Sequence, residues 1–306
     1  MLTSITTLRD IIAEHAHEAD TQTAIPGLHF FRSTTPTMPI NCIYEPRLCI
    51  IVQGRKEIVL GTHVFTYDAE KYLIATVDLP VLGGVTQASP EKPYLSLSLA
   101  LDPSKIASLL LEMPKPGNFL SNSPGLAVST LTTDLLHPVS RLADLLNTPQ
   151  DIPVMGPLIE REILYRLLNG AQGGILRQIA TADSYIAQVS QAIAWIRKHY
   201  AENFDIDTLS RVAGMSAPSF HRHFRAVTMM SPIQYRTRIR LQEARKLMVA
   251  DGKDAGEAGY TVGYESPSQF SREYRRMFGT PPARDTARMR QADPLPLGQS
   301  LLAEVS

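Results

Sequence analysis

The chain has 306 residues, 44% of them hydrophobic, and its 30 basic and 30 acidic side chains give a formal net charge of zero. That length exceeds one typical domain and that apolar content supports packed cores, so a mainly disordered chain is excluded and two domains are the starting expectation. Apolar runs such as Leu48–Val52 and Leu109–Leu111 fall far short of the roughly 20 residues of a membrane-spanning helix, so no membrane partner is expected.

The opening segment, MLTSITTLRDIIAEHAHEAD, carries acidic residues and no long apolar stretch before a small-residue cleavage site. No secretory signal is expected there, which places the chain in the cytoplasm. Cys42 and Cys49 suit a reducing compartment and are expected as free thiols, on opposite faces if one extended strand carries both.

From about Asn41 to Leu101 the pattern is one of short strands. Cys49–Val52 is apolar and β-branched, Gln53-Gly54 punctuates it, and Ile58–Leu60 runs to Gly61. Leu95, Leu97, Leu99 and Leu101 alternate with Ser96, Ser98 and Ala100, the period of a strand with one buried face. Many short strands with Gly and Pro turns predict a sandwich or barrel. Asp102 then caps a helix carrying Ile106, Leu109 and Leu110. Helices over Leu126–Leu146 and Leu158–Leu168, divided by the proline-rich stretch Asn147–Pro157, are expected to cover the β-unit or to pair with another subunit. Asn169–Gly174 reads as a hinge near the domain boundary.

Beyond Tyr185 the period is helical. Ile186, Val189, Ile193 and Ile196 form one amphipathic face with Trp195 as a core neighbour, and Asp205 or Asp207 caps a short helix through Leu209 and Val212. Residues 184–290 hold 17 of the 30 basic and 10 of the 30 acidic residues, leaving 13 and 20 elsewhere. A basic C-terminal part on an acidic partner is a prior for polyanion binding.

An internal repeat with an offset of 50 sharpens that prior. Ser216, Phe220, Arg222, Phe224 and Arg225 match Ser266, Phe270, Arg272, Tyr274 and Arg275, with Val212 upstream matching Val262. Each copy reads as the turn and second helix of a helix-turn-helix. Ser216 and Ser266 are placed to accept from orphan backbone N–H groups, and Pro218 and Pro267 fall in the opening turns. Aromatics four apart form an inward stripe. Pro218, Arg222 and Arg225 fall outward in the first copy, and Ser268, Arg272, Arg275 and Arg276 in the second, with His221, Gln269 and Ser271 flanking those faces and Ser219 and Pro267 completing the candidate DNA-binding set. Arginine and glutamine can each grip a base with two hydrogen bonds, while Arg225, Arg275 and Arg276, further along, are placed for phosphates. One copy alone would read as an ordinary amphipathic helix; two registered copies on a basic domain predict DNA binding. Ser231–Val249 is predicted as one long helix joining them, with Ile239, Ala244 and Leu247 burying it and Arg236, Arg238 and Arg240 free to touch DNA backbone.

These residues, above all GYESPSQFSREYRRMFGTPP, resemble the AraC family of bacterial transcription regulators over roughly Ile193–Asp285. YEPRLCIIVQGRKEIVLG, AEKYLIATVDLP and PYLSLSLALDP resemble the N-terminal domain of one subgroup. The resemblance implies an α+β chain: a cupin-like β-barrel with covering helices at 1–180 for effector binding or dimerisation, an all-α double helix-turn-helix at 181–290, and a flexible tail at 291–306. It implies base-reading roles near Pro218, His221, Arg222, Ser268, Ser271 and Arg272. Met229 departs from it, standing where many relatives have glycine, so the turn from Val227 to Ser231 is expected to be built differently. Double-stranded DNA and a small-molecule effector are the implied partners, with RNA polymerase and a second copy of the chain as further candidates.

Tyr44, Arg47, Cys49 and Tyr72 are the candidate effector-binding residues, Cys49 also as an electrophile-sensing thiol. His63 stands alone at ligand spacing, so neither a metal nor another cofactor is expected, and no catalytic Ser-His-Asp set stands out. The competing reading is a cupin-type enzyme or ligand-binding protein tethered to DNA; a barrel filled by its own side chains would indicate a ligand-independent regulator.

Overall fold

The structure, a computed structural model, describes residues 5–114, 124–181 and 183–291. Its contacts fall into two compact units, Met1–Ala187 and Gln188–Ser306. Among the described residues no helix is long and apolar enough to cross a membrane. The tail expected from 291 lies outside the described residues beyond Gln291 itself.

The first unit opens with α1 (Ile5–His15), β1 (Asp20–Gln22) and β2 (Leu28–Ser33), followed by β3 (Ile40–Tyr44), β4 (Arg47–Gln53), β5 (Arg55–Leu60), β6 (His63–Asp68), β7 (Lys71–Ala75), β8 (Leu79–Gln87) and β9 (Tyr94–Ala100). Then come α2 (Pro103–Glu112), β10 (Leu126–Thr130), α3 (Thr133–Asp144), α4 (Ile152–Asn169) and α5 (Gly173–Ile179). The strands form two antiparallel sheets, one ordered β1-β2-β9-β4-β7-β10 and one ordered β3-β8-β5-β6.

Alternation along the strands divides the larger sheet into two faces. One face, with Leu28, Phe30, Leu48, Ile50, Tyr72, Ile74, Leu95, Leu97 and Leu99, packs under the helices against Leu8 and Ile12 of α1, Ile106 of α2, Leu135 and Val139 of α3, and Ile159 and Ile163 of α4. The opposite face carries Cys49, Leu73, Ser96 and Ser98, all buried. β9 is therefore buried on both faces, not one, because a second sheet and a helical layer sandwich it, and the serines that pattern alone assigns to solvent point inward.

Other expectations need correction. Leu126–Thr130 is not helical: its β-branched Val128 and Thr130 pair in register with Leu73 and Lys71 as edge strand β10. The proline-rich stretch does not keep the flanking helices apart to Pro157. After two 3₁₀ turns, α4 begins at Ile152, with Pro153 in its first turn and Pro157 inside it. Asn169–Gly174 is no hinge, since Gly173 is buried against α4 and a Cβ there would fall 2.1 Å from the Leu168 carbonyl oxygen.

The second unit is all-helical: α6 (Tyr185–His199, entered from the first unit), α7 (Ile206–Val212), α8 (Ala217–Thr228), α9 (Pro232–Ala250), α10 (Ala255–Thr261), α11 (Pro267–Phe278) and α12 (Pro282–Gln291). Asp205 caps α7 by accepting from the Thr208 N–H, and Asp254 caps α10 from Gly256 and Glu257. Ser231 and Gln234 form a reciprocal capping box at the head of α9, the long helix read from the sequence. Ile186, Val189, Ile193 and Ile196 are buried as expected, but Trp195 is only partly so, stacked on His199 at 4.2 Å with the Phe204 edge 5.0 Å away.

Candidate nucleic-acid interface and inner face of the first unit

In each copy the helix after the turn hangs on an aromatic ladder. In α8, Phe220 and Phe224 are fully buried with centroids 5.3 Å apart, and Phe224 meets Tyr235 of α9 edge-on at 5.6 Å. In α11, Phe270 and Tyr274 repeat the pair at 5.5 Å, flanked by Tyr264 at 5.4 Å and Phe278 at 4.4 Å. With those rings inward, Pro218, His221, Arg222, Arg225, Pro267, Ser268, Gln269, Ser271, Arg272, Arg275 and Arg276 are all exposed, and Ser219 is half-buried. Within the described residues no ion pair engages any of these five arginines. Arg222 donates to Ser219 Oγ at 3.1 Å, and Gln269 Nε2 donates to Glu273 Oε1 at 3.2 Å. Burial and then the adjacent Arg222 charge hold the His223 imidazole below its ordinary pKa. Ser216 occupies the cap position without a side-chain cap bond, whereas Ser266 accepts from the Gln269 N–H.

The repeat is not uniform. Second-helix caps Ser216 and Ser266 lie 50 apart, but first-helix caps Asp205 and Asp254 lie 49 apart, as do the left-handed turn glycines Gly214 and Gly263. One extra residue sits between glycine and serine in the second copy. Val262 therefore takes the buried place of Ala213, not that of the partly buried Val212.

Arg240 and Arg236 of α9 are inward anchors, contrary to expectation. Arg240 donates from Nε to the Tyr200 carbonyl at 2.6 Å and from Nη2 to those of Ala201 and Glu202 at 3.1 Å each, satisfying carbonyls just past the end of α6. Arg236 lies over the Phe204 ring at 4.7 Å and reaches Glu202, and Arg238 is partly buried. Asp285 of α12, fully buried, accepts from Arg245 Nε at 2.9 Å, Tyr274 OH at 2.9 Å and Arg288 Nη2 at 3.0 Å, tying α9, α11 and α12. Sequence reading missed this hub, whose one signal is a lone acid in the basic run PPARDTARMR.

Met229 closes α8 at φ 57°, as Gly279 closes α11 at φ 77°, with matching N–H bonds to the carbonyls of Arg225 and Arg275. The turn is thus built alike in both copies, and methionine tolerates the left-handed geometry that glycine adopts freely. Met229→Gly is expected to raise stability by about 1 kcal/mol, read from denaturant midpoints of the full chain.

In the first unit Tyr44, Arg47 and Cys49 come together on the inner faces of the two sheets. Tyr72 does not; it lies on the helix-covered face of β7, toward Ser129 and Gly170. Cys42 and Cys49 are both free, and they sit on different sheets because the chain crosses between β3 and β4 at Glu45-Pro46, so strand parity does not separate them. Burial raises both thiols above their ordinary pKa, partly countered by Lys56 and Arg47. Among the described residues no group of three or more His, Cys, Asp or Glu is arranged to hold a metal ion.

Comparison with known proteins accords with both halves. Residues 24–175 match the model of the AraC-type transcriptional regulator N-terminus, and residues 209–288 match that of a helix-turn-helix domain. The transcriptional activator RhaS of Salmonella arizonae is 27% identical over 235 residues, 76% of this chain and 78% of its own, and RhaS of Enterobacter sp. strain 638 is 23% identical over 224, covering 72% and 74%. Among solved structures ToxT from Vibrio cholerae O395 shares the fold, with a TM-score of 0.54 at 12% identity over 87% of this chain and 98% of its own. The two matched regions lie in order, one on the sheet-and-helix unit and the other on the duplicated helices. The chain therefore belongs to the AraC family of transcription regulators, with an N-terminal regulatory unit and a C-terminal helix-turn-helix domain that binds DNA.

Proposed function

We propose that α8 and α11 read bases in neighbouring major grooves of one duplex. Arg222 and Arg272, with Pro218, Ser219, His221, Pro267, Ser268, Gln269 and Ser271, face base edges, and Arg225, Arg275 and Arg276 grip phosphates. The observation that carries this is the duplicated set of exposed arginines, without ion pairs among the described residues, on helices anchored by buried aromatics. In this reading residues 1–180 hold the effector and 181–290 the DNA, and effector binding favours one arrangement of the two. The match of residues 24–175 to a regulator N-terminus favours an effector-controlled unit, and the regulators among the relatives favour this over a tethered enzyme.

The exposed stripe Val154, Leu158 and Tyr165 on α4, spaced four and seven apart, supports pairing of two copies through that helix, for which sedimentation equilibrium of the full chain is the measurement. RNA polymerase is the further partner a transcriptional activator would need.

Binding-site selection with the purified full chain tests the reading roles. Arg222→Ala and Arg272→Ala should each weaken the selected site by about 1–3 kcal/mol and relax preference at a separate base cluster, about one helical turn apart. If both variants lose the same cluster, or neither loses one, two reading helices are ruled out.

A further inference from the structure

Two cations converge on one aromatic ring inside the first unit. Lys56 Nζ lies 5.5 Å from the Tyr44 ring centroid, and the Arg47 guanidinium carbon lies 5.7 Å from it. Lys56 is half-buried on β5 opposite Tyr67 of β6, on the inward face that carries the fully buried Ile58 and Leu60. Arg47 shares the inward face of β4 with Cys49.

Neutral donors surround this pair of charges. Burial drives the Tyr44 and Tyr67 phenols well above their ordinary pKa and that of Tyr94 up to about 12, so all three keep their protons at neutral pH. Arg47 pairs with Glu45 at 3.8 Å, a carboxylate that is 43% exposed. Within the described residues no ion pair engages Lys56. Beside its stem, Gly83 on β8, the cross-strand neighbour of Ile58, presents no side chain, and a Cβ there would stand 3.5 Å from Lys56 Cε. The groups that use this close approach are the Lys56 stem itself and Ile58, whose Cγ1 would stand 3.6 Å from the same Cβ.

A sheltered ammonium without a counter-ion is costly, and an anion that brings its own charge offsets that cost. We propose that the inner face of the first unit takes a small organic carboxylate, its anionic group held between Lys56 and Arg47 beside Tyr44 and its apolar remainder against the apolar side chains of that face. A carboxylate fits because two cations donate to compact oxygens, while the apolar walls disfavour a strongly hydrated dianion such as phosphate. The proposal rests on the reading that this unit binds the effector.

Calorimetric titration of the full chain tests it, with benzoate and hexanoate beside their neutral isosteres benzamide and hexanamide, and with inorganic phosphate as a competitor. At least one acid should bind, its amide at least about tenfold more weakly, and phosphate should not displace it. Lys56→Met should abolish the preference for acid over amide, and Lys56→Arg should keep it. Equal binding of acid and amide, undiminished acid binding by Lys56→Met, displacement by phosphate, or binding of neither acid would each overturn the proposal. A neutral compound that binds and alters affinity for the selected DNA would remove the carboxylate and leave the effector reading intact. A bound acid without effect on that affinity would do the reverse.

Discussion

Asp285→Ala should destabilise the second unit by about 3–5 kcal/mol, the range for removing one partner of a buried ion pair. Its carboxylate is fully buried, and losing it strands Arg245, 17% exposed, without its counter-charge and Tyr274 OH without its acceptor. Arg288, 62% exposed, turns to solvent and adds little. The burial and adjacent carboxylate that push the Tyr274 phenol upward also keep it a donor, so the loss falls on two groups at once. The chain's single tryptophan, Trp195, belongs to this unit, so its fluorescence during denaturant unfolding reports the change there. Because Asp285 ties α11 to α9, DNA binding should fail at a correspondingly lower denaturant concentration. An unfolding midpoint within error of the wild type would refute the anchoring role.

The second large effect is a contrast between two glycines that hold the same turn position. Gly214 and Gly263 have φ of +64° and +90°, so alanine at either incurs left-handed strain of about 1 kcal/mol. Their surroundings differ. A Cβ on Gly214 meets nothing nearer than Gln188 Nε2 at 3.7 Å, whereas one on Gly263 falls 2.1 Å from the Ala201 carbonyl oxygen and 2.7 Å from Arg240 Nη2. That carbonyl is itself held by Arg240, so neither neighbour yields without breaking the bonds that close α6. Gly214→Ala should cost about 1 kcal/mol and Gly263→Ala about 3 kcal/mol or more, compared through the same tryptophan signal. Equal costs would mean that strain alone matters and that the close approach does not.

The parts legible in the sequence are those governed by local rules. The strands around Cys49–Val52 and Ile58–Leu60, the capped α9, and the exposed arginines opposite buried Phe220, Phe224, Phe270 and Tyr274 follow from period, cap and turn chemistry. What escaped depends on partners distant in the chain. Ser96 and Ser98 are buried because another sheet covers them, and Leu126–Thr130 is a strand because β7 offers an edge. Arg240 turns inward because the three carbonyls following α6 lack donors, and Tyr72 parts from Tyr44 because it lies on the helix-covered face of β7 in one sheet while Tyr44 stands on β3 of the other. None of these follows from residue type or spacing alone.

The single added residue between Gly263 and Ser266 bears on engineering by module exchange. Replacing Ala217–Thr228 with Pro267–Phe278 conserves chain length and both junctions, so hybrid readers with regrouped specificities can be assembled from those segments. A cut placed ahead of α7 or α10 instead imports a connector of the wrong length, and the transplanted probe would be offset from the scaffold it must sit on.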